Sequence, residues 1–141
     1  MPCADTSFLF SLYHRDAHTA RALARLAEAG QPLLLSALNE FELGNAFRLA
    51  EFRGLLPAGE TERRLTGLAE DYAAGHWRYS DVPLKEILAE GVHLSATHTA
   101  KSGHRGFDIL HVAHARLAKP KVFLSFDANQ LRLAKAAGLR C

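Results

Sequence analysis

Short apolar segments alternate with longer helical patterns along this chain. Residues 33–35 and 122–125 are brief runs rich in Leu, Val and Phe, a pattern typical of strands buried on both faces of a sheet. Weaker strand patterns lie at the start of the chain and at residues 76–80. Helical periodicity predicts helices over residues 17–29, 37–53, 60–74, 84–98 and 129–137, and a further helix that contains Asp108. This alternation is typical of βαβ units and predicts a parallel sheet with helices on both of its faces.

Three segments carry more specific expectations. Asp16 is a residue type that often precedes a helix, so it is expected to cap the helix over residues 17–29. The helix over residues 37–53 has apolar side chains on two neighbouring faces, so it is expected to be largely buried. Residues 99–106 contain two glycines and few apolar side chains, and this composition predicts a mobile loop just before the helix of Asp108.

The composition is that of one globular domain spanning residues 1–141. The chain is 48% hydrophobic, which is enough for one core, and it has no low-complexity stretch. No signal peptide or membrane-spanning apolar run is present, so a cytoplasmic location without a membrane is expected. Cys3 and Cys141, the two cysteines, are too few for a disulfide framework, and both are expected to be reduced.

The basic residues are concentrated towards the end of the chain. The formal net charge is only +2, but residues 101–141 contain eight Lys and Arg residues against two acids. Such a concentration is consistent with a phosphate-rich partner, because Lys and Arg displace counterions from a nucleic-acid backbone. A solvated basic surface explains the same pattern equally well.

Four carboxylates lie at comparable places in the predicted architecture. Asp5 follows the first strand, Glu42 lies inside an apolar helix, Asp108 is near a helix start, and Asp127 follows the last strand. Strand ends are where open α/β sheets bind ligands, so the four acids are expected to share one crevice. Clustered carboxylates suit a hard divalent cation such as Mg²⁺ or Mn²⁺. The chemistry indicated is phosphodiester hydrolysis by a metal-activated water.

Each acid except Glu42 also has a purely structural interpretation. Asp5, Asp108 and Asp127 are all well placed to cap the start of a helix. Glu42 lies in the middle of its predicted helix, where no capping role exists, and it therefore carries the most weight.

Histidines and basic residues near Asp108 suggest further roles. His111 and His114 lie one helical turn apart, as zinc ligands often do, but without a third ligand packing is the better interpretation. His111 is expected beside the acidic crevice, and His114 is expected to have a structural role. Lys101 and Arg105 precede Asp108 and are candidates for contact with substrate phosphates, although a solvated loop explains them too.

Four short motifs together resemble the PIN domain, and in particular the VapC-type toxin ribonucleases. The motifs are Ala4 to Ser7, Ser36 to Ala46, Arg105 to Ala113 and Phe123 to Asp127, in this order over nearly the whole chain. The resemblance implies a three-layer α/β/α sandwich with a central parallel sheet and a homodimer. It also implies a Mg²⁺- or Mn²⁺-dependent endoribonuclease that cuts RNA and is paired with an antitoxin protein.

Position by position, the resemblance assigns Asp5, Glu42 and Asp108 as core acids and Asp127 as the fourth. Ser7 matches a hydroxyl that supports the first acid. Glu40 competes with Glu42, but two residues along a helix turn a side chain by roughly 200°, so both cannot face one metal ion. The chain departs from the family in having Pro2, Cys3 and Ala4 where an aliphatic strand is usual, and in ending soon after its last helix.

Other protein classes fit the acids less well. A hydrolase that works through an aspartyl phosphate needs a second acid two residues after its nucleophile, where this chain has Ser7. A non-catalytic PIN-like binding module would be expected to have lost acids. A PIN nuclease of RNA processing remains an alternative to a toxin, and the small single-domain chain favours the toxin.

Overall fold

The computed structural model describes residues 1–141 and contains a four-stranded sheet surrounded by helices. The strands are Cys3–Ala4 (β1), Leu33–Leu35 (β2), Trp77–Tyr79 (β3) and Phe123–Leu124 (β4). The helices are Thr6–Tyr13 (α1), Thr19–Ala29 (α2), Ala37–Phe52 (α3), Glu60–Ala73 (α4), Leu84–Leu94 (α5), the single turn Ala100–Ser102 (α6), Gly106–Ala118 (α7) and Ala128–Ala136 (α8). A π-helical turn, Ser95–Thr99, joins α5 to α6.

The four strands are parallel and follow the order β3-β2-β1-β4. Cys3 of β1 lies opposite Leu34 on one side and Phe123 on the other, so β1 is central. The chain adds β2 and β3 on one side of β1 and then returns to add β4 on the other side. The sheet order therefore reverses between β1 and β4, and open α/β sheets bind ligands outside the strand ends at such a point.

Alternate residues of β1, β2 and β4 belong to two separate hydrophobic cores. Ala4, Leu33, Leu35 and Leu124 face a core completed mainly by α1 to α4, which contains Phe8 and Phe47 among its larger side chains. Their strand neighbours face a second core completed by α5, α7 and α8. Because both faces of the sheet are covered, the predicted α/β/α sandwich with its central parallel sheet is confirmed.

Two local predictions are wrong. Residues 99–102 are helical, and only residues 103–105 form a loop, which starts where Gly103 ends the helix at a φ of 65°. The low apolar content of this segment reflects exposure and not irregular backbone. The second helix begins at Thr19 and not next to Asp16, because the Asp16 carboxylate instead accepts a hydrogen bond from the His18 amide at 2.7 Å and holds a turn before the helix.

Helix α3 is only half-buried, which corrects the expectation that it is largely buried. Leu43 and Phe47 are completely buried, but Phe52 is 87% exposed and Phe41 and Leu49 are also exposed. The first face packs against the sheet, whereas the second remains largely open, although Phe41 stacks on Phe107 of α7 at the edge of the helix. None of the helices combines the length and apolarity that crossing a bilayer requires.

Candidate active site

The four predicted acids line a single pocket at the carboxyl ends of β1 and β4. Each comes from a different place in the fold: Asp5 follows β1, Glu42 lies in α3, Asp108 lies in the first turn of α7, and Asp127 follows β4. The reversal of strand order opens this space between the two strands. The fold therefore brings together four side chains that are separated by up to 122 residues in the sequence.

Asp5 is the most deeply buried of the four acids, with 3% of its surface exposed. Its carboxylate accepts hydrogen bonds from Ser7 Oγ at 2.8 and 2.9 Å, from Ser125 Oγ at 2.6 Å and from the Phe8 amide at 2.8 Å. It forms no ion pair. Burial raises the pKa of Asp5 above its usual range, although the hydrogen bonds from Ser125, Phe8 and Ser7 oppose this increase.

Glu42 is fixed by a hydrogen-bonded group made of Thr6, His111 and Asn39. His111 Nε2 lies 2.6 Å from Glu42 Oε2, and Thr6 Oγ1 donates to the same oxygen. Burial favours a higher pKa for Glu42, but the hydrogen bonds from His111 and Thr6 outweigh it and lower the pKa below its usual value. Glu42 is therefore held as a carboxylate in a defined orientation.

Asn39 sets the orientation of the His111 ring. The Ser36 amide donates to Asn39 Oδ1 at 2.9 Å, which directs Asn39 Nδ2 towards His111 Nδ1, 3.3 Å away, and the Ala4 carbonyl, 3.0 Å away. An amide nitrogen is only a donor, so His111 Nδ1 accepts and Nε2 donates to Glu42. His111 thus lies beside the crevice as a hydrogen-bond partner of an acid.

Arg105 connects the other two acids. Its Nε atom donates to Asp108 Oδ2 at 2.9 Å, and its guanidinium lies 3.6 Å from Asp127 Oδ2. The side chain of Arg105 is 79% exposed, so it covers the outer side of the pocket. Lys101 is exposed on α6 and is not among the residues that line the pocket.

The capping interpretation holds for two of the acids in addition to their place in the pocket. Asp5 caps α1 through the Phe8 amide, and Asp127 caps α8 by accepting from the Gln130 amide at 2.8 Å. Asp108 is not a cap, because Arg105 precedes the first residue of α7. A capping carboxylate still has lone pairs available for a cation, so the two roles are compatible.

Glu40 and Glu42 face different parts of the molecule. Glu42 lines the acidic pocket, whereas Glu40 accepts a hydrogen bond from Tyr79 and lines a separate groove between α3 and α4. Two residues turn an α-helix by roughly 200°, so the two side chains lie on opposite sides of α3.

The donor chemistry of the pocket fits a hard divalent ion. All four acids offer oxygen ligands, and the uncompensated charge of Asp5 is what a cation would neutralise. No group of three or more His, Cys, Asp or Glu side chains is arranged to hold an ion directly. Mg²⁺ commonly keeps several water ligands and uses only one or two carboxylates, which fits such spacing.

Several residues that line the pocket or lie directly behind it were not predicted from the sequence. Thr6, Asn39 and Ser125 orient the acids, and Asp16 lines the pocket as a fifth carboxylate. Ser125 directly follows β4, and Thr6 lies two residues after the end of β1. Their positions at the strand ends mark them as candidates. Asn39 carried no comparable signal, because its partners are 35 and 72 residues away in the sequence.

Comparison with known proteins gives one family and two similar structures. The family model of the PIN domain matches residues 3–136. VapC20 of Mycobacterium tuberculosis, a sarcin-ricin loop cleaving toxin, is similar with a TM-score of 0.69 at 20% identity, over 99% of this chain and 96% of that one. FitAcB from Neisseria gonorrhoeae is similar with a TM-score of 0.64 at 21% identity, over 99% and 95%. No curated protein sequence gives a significant match.

Proposed function

The chain belongs to the PIN domain family, and on this basis we propose that it is a Mg²⁺- or Mn²⁺-dependent endoribonuclease and the toxin of a toxin–antitoxin pair. The observation that carries the proposal is the convergence of Asp5, Glu42, Asp108 and Asp127 on one pocket. Four carboxylates with one bridging arginine are poorly suited to bind a phosphate directly. They are well suited to hold a cation that in turn binds the phosphate.

The proposed chemistry divides between the ion and the side chains. When bound by these acids, a divalent ion supplies an activated water and neutralises charge on the phosphoryl oxygens. Ser7 and Ser125 keep the Asp5 carboxylate in one orientation, and His111 and Thr6 do the same for Glu42. Such supporting hydrogen bonds fix the direction of metal ligands. Arg105 is the cation on the exposed side of the pocket, where a substrate phosphate enters.

The proposed biological role rests on structural similarity and on the exposed apolar surface. The similarity to VapC20, a toxin, over nearly the full length of both chains supports a toxin of the same class. The similarity to FitAcB, also over nearly the full length of both chains, supports the same fold. The exposed apolar side chains Leu84, Leu88 and Val92 on α5, and Phe41, Leu49 and Phe52 on α3, are available to protein partners. A homodimer and an antitoxin complex would each cover part of this surface.

Cleavage of mixed RNA and DNA pools tests the activity. Wild-type protein with Mn²⁺ is expected to cut RNA, and EDTA is expected to stop it. Asp5→Asn and Glu42→Gln should leave no detectable cleavage, because each removes a charged ligand. Asp81→Asn, which changes an exposed acid outside the pocket, is the matched control and should cut as wild type does.

Two outcomes would replace the proposal with an alternative. Binding of RNA without cleavage under any metal condition would indicate a non-catalytic binding module. Cleavage of RNA without growth arrest, when the wild-type gene is induced in bacteria and Asp5→Asn serves as the inactive control, would indicate a nuclease of RNA processing.

A further inference from the structure

An aromatic and cationic group borders the acidic pocket on the side of α2. Phe126 lies between Ser125 and Asp127 in the chain and lines the same pocket as the acids. Its ring stacks on Phe8, with centroids 5.2 Å apart, and on His18, with centroids 4.8 Å apart and ring planes within 22°. Phe8 is completely buried and His18 is exposed, so Phe126 connects the core to an open aromatic surface.

Arg21 adds a free positive charge to this surface. Its guanidinium carbon lies 5.7 Å from the centroid of the Phe126 ring, one turn along α2 from His18. Arg21 is exposed and forms no ion pair, in contrast to Arg105, whose guanidinium is engaged by Asp108 and Asp127. The Arg21 guanidinium therefore contacts the Phe126 ring but no carboxylate, and its charge is available to an anion.

A polyanion that approaches the pocket needs such cations. The pocket lining includes five carboxylates, Asp5, Asp16, Glu42, Asp108 and Asp127, and these repel the phosphates on either side of the bond to be cut. Positive charge at the border of the pocket offsets this repulsion and holds the backbone in place. Aromatic rings next to the cation provide a stacking surface for a base, which is how proteins commonly hold unpaired nucleotides.

Resting on the proposed function, we propose that His18, Phe126 and Arg21 form a subsite for an unpaired nucleotide of the RNA, adjacent to the bond that is cut. The base stacks on the outer face of the His18 ring, which Phe126 supports from its other side, and Arg21 contacts a neighbouring phosphate. Because Phe126 directly precedes Asp127 and follows Ser125, whose hydroxyl contacts Asp5, the subsite is rigidly connected to the acids. Stacking is tolerant of base identity, so the subsite selects single-stranded RNA and not one sequence.

The test measures binding of fluorescent single-stranded RNA oligonucleotides to the intact protein by anisotropy, with cleavage prevented by omitting Mn²⁺ and adding EDTA. Two oligonucleotides are compared: one is complete, and the other has abasic sites in place of all its bases. Phe126→Leu keeps apolar packing on Phe8 but removes the ring. It should weaken binding of the complete oligonucleotide by about tenfold or more and leave the abasic one unchanged.

His18→Ala guards against a folding defect in Phe126→Leu, because His18 is exposed and makes no capping hydrogen bond to α2. It should weaken binding of the complete oligonucleotide selectively as well. Arg21→Ala should weaken both oligonucleotides and reduce the slope of log affinity against log salt by about 0.7. Arg53→Ala, an exposed arginine at the end of α3, is the matched control and should change nothing.

The results separate this proposal from the proposed function. Wild-type-like binding by Phe126→Leu and His18→Ala, or equal losses for both oligonucleotides, would overturn the subsite while RNA cleavage by the wild type still stood. If the wild type bound neither oligonucleotide and cut no RNA with Mn²⁺, the proposed function would fail, and the subsite with it.

Discussion

Each acid of the pocket is held by a different kind of neighbour. Asp5 is surrounded by hydroxyls and a backbone amide, Glu42 by a histidine and a threonine, and Asp108 and Asp127 by Arg105. Only the last pair has a positively charged partner that is always ionised. Asp5 therefore bears most of the cost of burying a charge in the metal-free protein.

Asp5→Asn is accordingly expected to stabilise the metal-free protein while it inactivates the enzyme. Asparagine can still cap α1 through the Phe8 amide, and it removes the buried charge. We expect the Tm in EDTA, measured by differential scanning calorimetry, to rise by about 3 °C or more. Asp81→Asn should shift the Tm by less than that. A lower Tm for Asp5→Asn would mean that the charge is not a cost to the fold.

The sequence predicted the acids and two of the side chains that hold them, Ser7 and His111, but not Thr6, Asn39 and Ser125. Asp5, Glu42, Asp108 and Asp127 were accessible to sequence reasoning because a carboxylate beside an apolar run is unusual. Asn39 was not, because its value depends on the Ala4 carbonyl and the His111 ring, which only the folded chain brings near. Hydrogen-bond partners across elements leave no local pattern in a single sequence.

At the scale of elements, helix α7 contributes side chains both to the pocket and to the second core. Its first turn carries Asp108 and its second carries His111, both at the pocket, while His114 one turn later is buried. His114 Nε2 has no hydrogen-bond partner. Burial, with a smaller contribution from neighbouring His111, lowers the pKa of His114 to about 4. The ring must therefore remain neutral in the folded protein.

This buried histidine makes stability depend on pH. The usual pKa of a histidine is 6.5 and the folded value here is about 4, so the contribution of His114 is fully present above pH 6.5 and is lost as the pH falls towards 4. The loss approaches about 3 kcal/mol. Urea unfolding at pH 7 and at pH 4 gives the decrease in the free energy of unfolding on acidification. This decrease should be smaller for His114→Leu than for wild type by the same amount. The exposed control His93→Leu should behave as wild type, and identical losses for His114→Leu and wild type would refute the assignment.

Elements with strong patterns were predicted most accurately. Residues 33–35 are a strand with the predicted bounds, and helix α4 ends within one residue of its expected end. Residues 99–102 were mistaken for a loop because exposed helical turns with few apolar side chains have no periodicity to detect. The start of α2 was predicted too early because Asp16 was interpreted as its cap. An aspartate stabilises a turn as readily as it caps a helix.

At the scale of the whole molecule, the sheet is covered on both faces but the outer surface keeps an apolar stripe. Leu84, Leu88 and Val92 lie at intervals of four residues along α5 and are 49%, 48% and 71% exposed. Side chains with this spacing share one helical face. A stripe of this kind is typical of a surface that contacts another protein, and the family resemblance implies a homodimer.

Light scattering on the purified protein tests the oligomeric state. We expect twice the chain mass of 15.5 kDa for the wild type. Leu88→Glu places a charge in the stripe without disturbing the core and should halve the measured mass. His93→Glu adds the same single negative charge on the same helix, at an exposed position about 100° or more around the axis from the stripe, and should leave the mass as in wild type. A monomeric wild type would contradict the homodimer.

The central claim is that the acids of the pocket bind a divalent ion, and titration calorimetry with Mn²⁺ tests it most directly. The paired variants Glu42→Gln and Glu40→Gln make the same chemical change on opposite sides of α3. We predict that wild type and Glu40→Gln bind Mn²⁺ equally well, and that Glu42→Gln binds it at least about tenfold more weakly. Absence of binding by the wild type, or equal binding by both variants, would contradict the account.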